Sequence, residues 1–214
     1  MNVYNKPLEL VIEGCKGAGK GTTIGLVEKG LEKAGISYQV SAPFNEVRLA
    51  HQAKTQEKDF AYLWNKSPED CSLAENMIEQ AIEDARAKAH EQAIEVLLFD
   101  RGWITLMAAL EDGVFIDETD KQNRLKKAIS KVAPAFFLRV TPEVVMQRRG
   151  SLFYDKSSQD QAKARVERDC SVRDEICTKY SSRIIQVFDT SEGMLAFERA
   201  AAAILEKTLN SLNK

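Results

Sequence analysis

The stretch from Leu8 to Thr23, LELVIEGCKGAGKGTT, constrains the fold more than any other part of the chain. Leu8 to Ile12 reads as a short buried strand, Gly14 to Gly19 as a glycine-rich turn, and Lys20 stands where a helix begins near Gly21. Gly14, Gly17 and Gly19 let successive backbone N–H groups turn inward around an anion with no Cβ in the way. The helix start adds the positive end of its dipole, and Lys20 adds a mobile point charge. Gly14, Gly19 and Lys20 fit the spacing G-x-x-x-x-G-K, the pattern of a loop that cradles the phosphates of ATP with Mg²⁺. The backbone of Gly17, Ala18, Gly19, Lys20 and Gly21 is expected to hold the inner phosphates. One position departs: Gly21 stands where the pattern has the Ser or Thr that ligates the metal, and hydroxyls follow only at Thr22 and Thr23. Thr22 is then the hydroxyl assigned to the metal or a phosphate, with the ion held mostly through water. The plainer alternative, a glycine-rich turn with a surface lysine, is disfavoured because strand, loop and helix occur in the required order.

Downstream, strands alternate with helical patterns. A first helix runs to about Lys33 and ends at Gly35; Ile36 to Ala42 alternates as a second strand that Pro43 stops. Asn45 is placed as the cap of a helix reaching about Trp64. Ser67-Pro68-Glu69-Asp70 starts another, to about Gln92, whose acids read as solvated surface. Val96 to Asp100 is a continuous apolar run ending in a charge, as in a central parallel strand. Its tip, Asp100-Arg101, falls at the carboxyl edge, where open α/β sheets bind ligands. Helices follow at Trp103 to Leu110 and Glu118 to Lys131, the latter with a basic cluster (Lys121, Arg124, Lys126, Lys127, Lys131) taken as a solvated face. Ala135 to Val140 is a fourth strand, Pro142 to Gly150 a helix with its end, and Ser151 to Gln159 polar and irregular. A helix from Asp160 to Tyr180, a fifth strand Ile184 to Phe188, and a last helix from Met194 to about Leu212 complete the chain. The expected fold is α/β: a five-stranded parallel sheet with helices on both faces, of P-loop NTPase type, with residues 1–214 as one domain.

Composition excludes several functions. The net charge is −2 with 29% charged residues, which gives no electrostatic case for nucleic acid. No apolar run approaches membrane-spanning length, and MNVYNKPLEL lacks the regions of a signal peptide. Cys15, Cys71, Cys170 and Cys177 form no CxxC pair, so reduced thiols in a cytoplasmic enzyme are expected. Cys170 and Cys177, seven apart, are expected on one helix face. Cys15, inside the loop, is read as a small residue that fits, with a redox role as the lesser alternative.

These motifs resemble the nucleoside monophosphate kinases, and most of all the thymidylate kinase family, over nearly the whole chain. Ile12-Glu13-Gly14 with Gly17-Ala18-Gly19-Lys20 is similar to the family's E-G-x-x-G-A-G-K opening. Asp100-Arg101 matches its D-R, and Pro134 to Leu138 with Thr141-Pro142-Glu143 its fourth strand and following helix. Arg148, Arg149, Asp155 and Lys156 stand where the family has a basic lid, here about 148–160. Deoxynucleoside kinases share the architecture and an I-E-G opening. Lys16 replaces the family's loop residue near the nucleotide sugar, Ala42-Pro43-Phe44-Asn45 replaces E-P-G-G-T, and Glu79 occupies the place of an acceptor-binding arginine, with Arg86 two turns further on.

The resemblance implies ATP-dependent phosphoryl transfer to a nucleoside monophosphate, most plausibly a deoxynucleotide such as dTMP. The alternatives are a deoxynucleoside kinase acting on the 5′-hydroxyl and a non-catalytic nucleotide-binding regulator. Lys20 would bridge the outer phosphates. Asp100 would organise Mg²⁺ water or, in a nucleoside kinase, act as base; otherwise it simply pairs with Arg101. Arg101 would contact the acceptor or the transferring phosphate, and Arg148 and Arg149 would close over ATP. One of Arg165, Arg168 and Arg173 can face the site, and Phe44, Tyr62, Trp64 or Trp103 can stack on a base. The family is commonly dimeric, which is the sole support for a homodimer.

Overall fold

The computed structural model describes residues 6–55, 64, 66–130, 134–149 and 159–213. In chain order the elements are β1 (Leu8–Glu13), α1 (Lys20–Ala34), β2 (Tyr38–Ser41), α2 (Pro43–Thr55), α3 (Pro68–Glu91), β3 (Val96–Asp100), α4 (Trp103–Glu111), α5 (Glu118–Ser130), β4 (Ala135–Arg139), α6 (Pro142–Arg149), α7 (Gln159–Lys179), β5 (Ile184–Asp189) and α8 (Met194–Leu212). The five strands form one parallel sheet in the order β2-β3-β1-β4-β5.

The apolar runs of β1, β3 and β4 are explained by burial on both faces. Side chains alternate along a strand, so each of these strands feeds two cores. Val11, Leu97, Phe99, Ala135 and Phe137 pack with α3, α4, α5 and the C-terminal half of α7. Leu10, Ile12, Val96, Leu98, Phe136 and Leu138 pack on the other face with α1, α6, α8 and the N-terminal half of α7. Cys170 therefore belongs to one core and Cys177 to the other. They share one face of α7, as seven-residue spacing on a helix implies, but that face meets a different core at each position.

Boundaries differ in places for local reasons. The second strand ends at Ser41, and the following helix begins at Pro43, not at an Asn45 cap. Glu46 folds back so that its carboxylate accepts from Ala42 N (2.9 Å) and Ser41 Oγ (3.2 Å), which satisfies the helix entry. At the other end of β1, Arg86 grips Glu9 through two hydrogen bonds of 2.9 and 2.7 Å. Glu9 lies opposite Leu97, at the amino half of the sheet, so the pairing draws Arg86 away from the carboxyl edge.

The charges of α3 and α5 are also more buried than periodicity implies. Glu75 is 2% exposed and accepts from Arg124 Nη1 at 2.8 Å, while Arg124 also holds Asp120 at 3.0 Å. Glu79 pairs with Lys127 at 3.0 Å. The inner edges of both helices thus meet in an ion-pair seam, while Glu69, Glu83, Asp84, Glu91 and Lys126 lie exposed as the sequence implies, and Lys131 lies outside the described residues. Among the described residues no helix is long and apolar enough to cross a membrane.

Candidate functional site

The chain leaves β1 toward β2 on one side and later reaches β4 on the other, so the sheet switches direction beside β1. A crevice opens there at the carboxyl ends of β1 and β3. Ile12 lies opposite Asp100, which places the glycine-rich loop after β1 beside the Asp100-Arg101 tip of β3.

The loop is held by steric fit. Gly14 has φ +148°, and a Cβ there would stand 2.6 Å from the Leu138 carbonyl oxygen. Gly19 has φ +86° and lies against the Phe197 ring, with no space for a side chain. Thr190 Oγ1, in the turn after β5, donates to the Ala18 carbonyl at 3.0 Å. Arg148 binds the same turn and the loop together, donating to Gly17 O (3.2 Å) and Thr190 O (2.7 Å), with its guanidinium 5.2 Å from the Phe197 ring centre. Arg148 is therefore a tie between α6, the loop and the β5–α8 turn.

Lys20 is 7% exposed and donates to the Gly14 and Cys15 carbonyls at 3.0 and 3.1 Å. Burial, followed by repulsion from Arg101, brings its ammonium down to about 7. Burial and then Arg173 likewise lower Arg101 from its ordinary value. Arg101 adopts φ 77°, a left-handed conformation that costs a non-glycine residue free energy. Among the described residues nothing hydrogen-bonds to its guanidinium. Asp100 Oδ1 is buried and likewise without a hydrogen-bond partner among them.

Behind this pair lies a buried hydrogen-bond network. Glu13, 0% exposed at the end of β1, accepts from Gly102 N (2.8 Å), Thr105 N (3.2 Å) and Thr105 Oγ1 (2.7 Å). It thereby satisfies the first-turn amides of α4. Thr105 Oγ1 accepts in turn from Arg173 Nη1 at 2.8 Å, and Arg173 Nε donates to Asp169 at 2.8 Å.

Two cavities meet at Asp100 and Arg101. One, about 680 Å³, is lined by Gly17, Gly19, Lys20, Gly21, Thr22 and Arg148 with the Asp100-Arg101 tip. The other, about 760 Å³, is lined by Phe44, Arg48, Trp64, Thr105, Asp169 and Arg173. Lys16, Asn45, Asp100 and Arg101 line both. Most of the sequence-selected residues are thus brought together. Gly14 and Ala18 are exceptions: Gly14 presents its carbonyl to Lys20, and the Ala18 N–H donates inward to Cys15 O at 3.3 Å. The Arg149 side chain, Tyr62, Asp155 and Lys156 lie outside the described residues. Of the three α7 arginines, Arg173 faces the crevice, while Arg168 pairs with Asp112 at the surface. Trp103 packs edge-on to Tyr180 in the core beneath the sheet and lines neither cavity.

Thr105, Asp169 and Thr190 were missed by sequence reasoning. Thr105 had a faint signal, a single hydroxyl within the apolar helix WITLMAAL. Asp169 had only its i,i+4 spacing to Arg173, and Thr190 had none, since Thr190 matters through contacts distant in sequence.

The fit to a divalent ion rests on Asp100 and Thr22. Asp100 brings a buried carboxylate oxygen with no hydrogen-bond partner, and Thr22 an exposed hydroxyl on the same cavity wall. No group of three or more His, Cys, Asp or Glu side chains among the described residues is placed to hold a metal. An ion here would take most of its ligands from phosphate oxygens and water. No family model matches the chain, and a search of the curated proteins returns no relative.

Proposed function

We propose that this protein is an ATP-dependent kinase that transfers the terminal phosphoryl group to a nucleoside monophosphate, most plausibly a deoxynucleotide such as dTMP. The observation that carries this reading is the shared boundary of the two cavities. Asp100 and Arg101 stand between a space walled by Lys20 and the glycine-rich loop and a space walled by Arg173, Arg48, Phe44 and Trp64. A donor triphosphate on the loop and an acceptor in the second space would meet there.

Phosphoryl transfer is catalysed mainly by position and charge. Lys20, Arg101 and Arg173 crowd together. Both guanidinium groups disfavour the charge on Lys20, and Arg173 disfavours that on Arg101, so an anion between them relieves the repulsion. Lys20 would leave the Gly14 and Cys15 carbonyls for the outer phosphate oxygens. The backbone of Gly17, Gly19, Lys20 and Gly21 would hold the inner phosphates, and Arg148 would keep the loop in place. Asp100 and Thr22, together with phosphate oxygens and water, would hold Mg²⁺, which when bound would neutralise triphosphate charge. Arg101 would stabilise charge on the transferring group, and Arg173, oriented by Thr105 and Asp169, would hold the acceptor phosphate. Phe44 and Trp64 offer stacking surfaces for a base.

A second reading is favoured by one observation. Asp100 Oδ1 has no hydrogen-bond partner among the described residues, which would leave it open to act as a base toward a nucleoside 5′-hydroxyl. The test is ADP release from Mg·ATP against a panel of nucleosides and their 5′-monophosphates, with Lys20→Ala as control. Turnover driven by one monophosphate supports the first reading, and by a nucleoside alone the second. ATP binding without acceptor-dependent turnover would sink both and leave a nucleotide-binding regulator.

A further inference from the structure

We propose that Cys15 and Cys170 form an oxidisable thiol pair, which a hydroperoxide closes to an intramolecular disulfide that pulls the glycine-rich loop out of its binding geometry. The chemistry of closure stands on the geometry of the pair alone. The effect on triphosphate rests on the phosphate-loop reading above.

The two sulfurs are 3.5 Å apart, although the residues are 155 positions apart in the chain. Cys15 sits in the loop between Gly14 and Lys20, and Cys170 on the inner face of α7. Both are buried, at 4% and 9% exposure, yet each has a neighbour on the wall of the larger cavity, Lys16 and Asp169. That side is where a molecule as small as a peroxide would have to enter.

The pair is chemically unequal. The Cys170 thiol donates to Cys15, which is the largest cause lowering the Cys15 pKa; Lys20 and Arg173 act in the same direction. Cys170 is raised, first by that same hydrogen bond and then by burial. Burial raises Cys71, and pushes Cys177 up to about 12, with no second sulfur beside either among the described residues. Cys15 is therefore the sulfur that attacks.

The steps balance. The Cys15 thiolate attacks one oxygen of the hydroperoxide, the O–O bond breaks, and Cys15 becomes a sulfenic acid as hydroxide or alkoxide departs. The Cys170 thiol gives up its proton, its sulfur attacks the sulfenic sulfur, and water leaves. Two thiols lose two electrons and two protons, and hydrogen peroxide becomes two waters.

Closure must shorten the sulfur separation from 3.5 Å to about 2.0 Å. The loop cannot absorb that shift freely, because Gly14 is pressed on the Leu138 carbonyl and Gly19 on Phe197. The Cys15 carbonyl, which holds Lys20, moves with its side chain.

The experiment treats the reduced full chain with hydrogen peroxide and follows free thiols, the peptide map and Mg·ATP affinity. The expected result is a fall from four thiols to two, a Cys15–Cys170 cross-link, and an affinity loss of about tenfold or more that dithiothreitol reverses. Cys170→Ser and Cys170→Ala, each removing only the resolving sulfur, should keep the starting affinity and form no cross-link. Persistence of four thiols, a cross-link between other cysteines, or a Cys15–Cys170 bond that leaves affinity unchanged would overturn the proposal. If the reduced protein binds no ATP, the nucleotide reading fails, while the thiol count and map still decide whether the pair closes.

Discussion

Glu13 and Thr105 meet at 2.7 Å between Oε2 and Oγ1, across 92 positions of sequence. The contact joins the end of β1 to the first turn of α4, and through Arg173 Nη1 it reaches α7. Three elements converge on one buried hydroxyl. Thr105→Val keeps the shape and deletes that hydroxyl, leaving Glu13 and Arg173 each short of a partner. A stability loss of about 1–3 kcal/mol is expected in urea denaturation. Thr105→Ser should recover most of it.

Lys20 links binding to pH. Its folded-state pKa of about 7 is depressed below that of the unfolded chain. Below pH 7 the ammonium is charged in both states and its burial penalty is present in full. As pH rises above 7, the folded state releases the proton first, so this residue's contribution to stability becomes more favourable up to the unfolded pKa. A phosphate bound at Lys20, as the proposed function requires, would restore the charge. Calorimetry of ATP binding above pH 7 in buffers of different ionisation enthalpy should therefore report proton uptake. Lys20→Met should abolish both the uptake and the binding while raising the melting temperature at pH 6.

Arg101 combines backbone strain with a guanidinium that has no hydrogen-bond partner among the described residues. Arg101→Gly releases the left-handed φ of 77° and a half-buried charge crowded by Arg173. It is expected to stabilise the fold by about 1 kcal/mol. Turnover should fall by about a hundredfold or more. Arg101→Gly variants that lose both stability and activity would count against a strained functional residue.

Two loop glycines make opposite demands. Gly14→Ala drives a Cβ toward the Leu138 carbonyl at φ +148° and should cost about 1–3 kcal/mol. A Cβ at Gly21 would meet nothing within 4 Å. Gly21→Ser should therefore fold at wild-type stability or better, since glycine is a weak helix former. It also places a hydroxyl directly after Lys20, so tighter Mg²⁺ dependence of ATP binding is the expected gain.

Local chemistry carries much of this protein. Strand-loop-helix order, the glycine spacing before Lys20, the apolar runs of β1, β3 and β4, and the Asp100-Arg101 tip are all legible as sequence, because burial on both faces and positive-φ turns impose residue types over a few consecutive positions. The parallel α/β fold followed from those runs. The sequence also named Gly17, Gly19, Lys20, Gly21, Thr22, Asp100, Arg101 and Arg148, which share one cavity wall.

Tertiary structure decided what periodicity does not encode. Whether a charge on a helix faces water or a partner depends on the neighbouring element, so Glu75, Arg124 and Glu79 read as surface but form a seam. Arg86 and Arg173 are both helix arginines. One is drawn to Glu9 at the amino half of the sheet and the other to Thr105 at the carboxyl edge, by contacts 77 and 68 positions distant. The pairing of Cys15 with Cys170 is of the same kind: side chains far apart in sequence acquire a shared chemistry only when the sheet order brings their elements together.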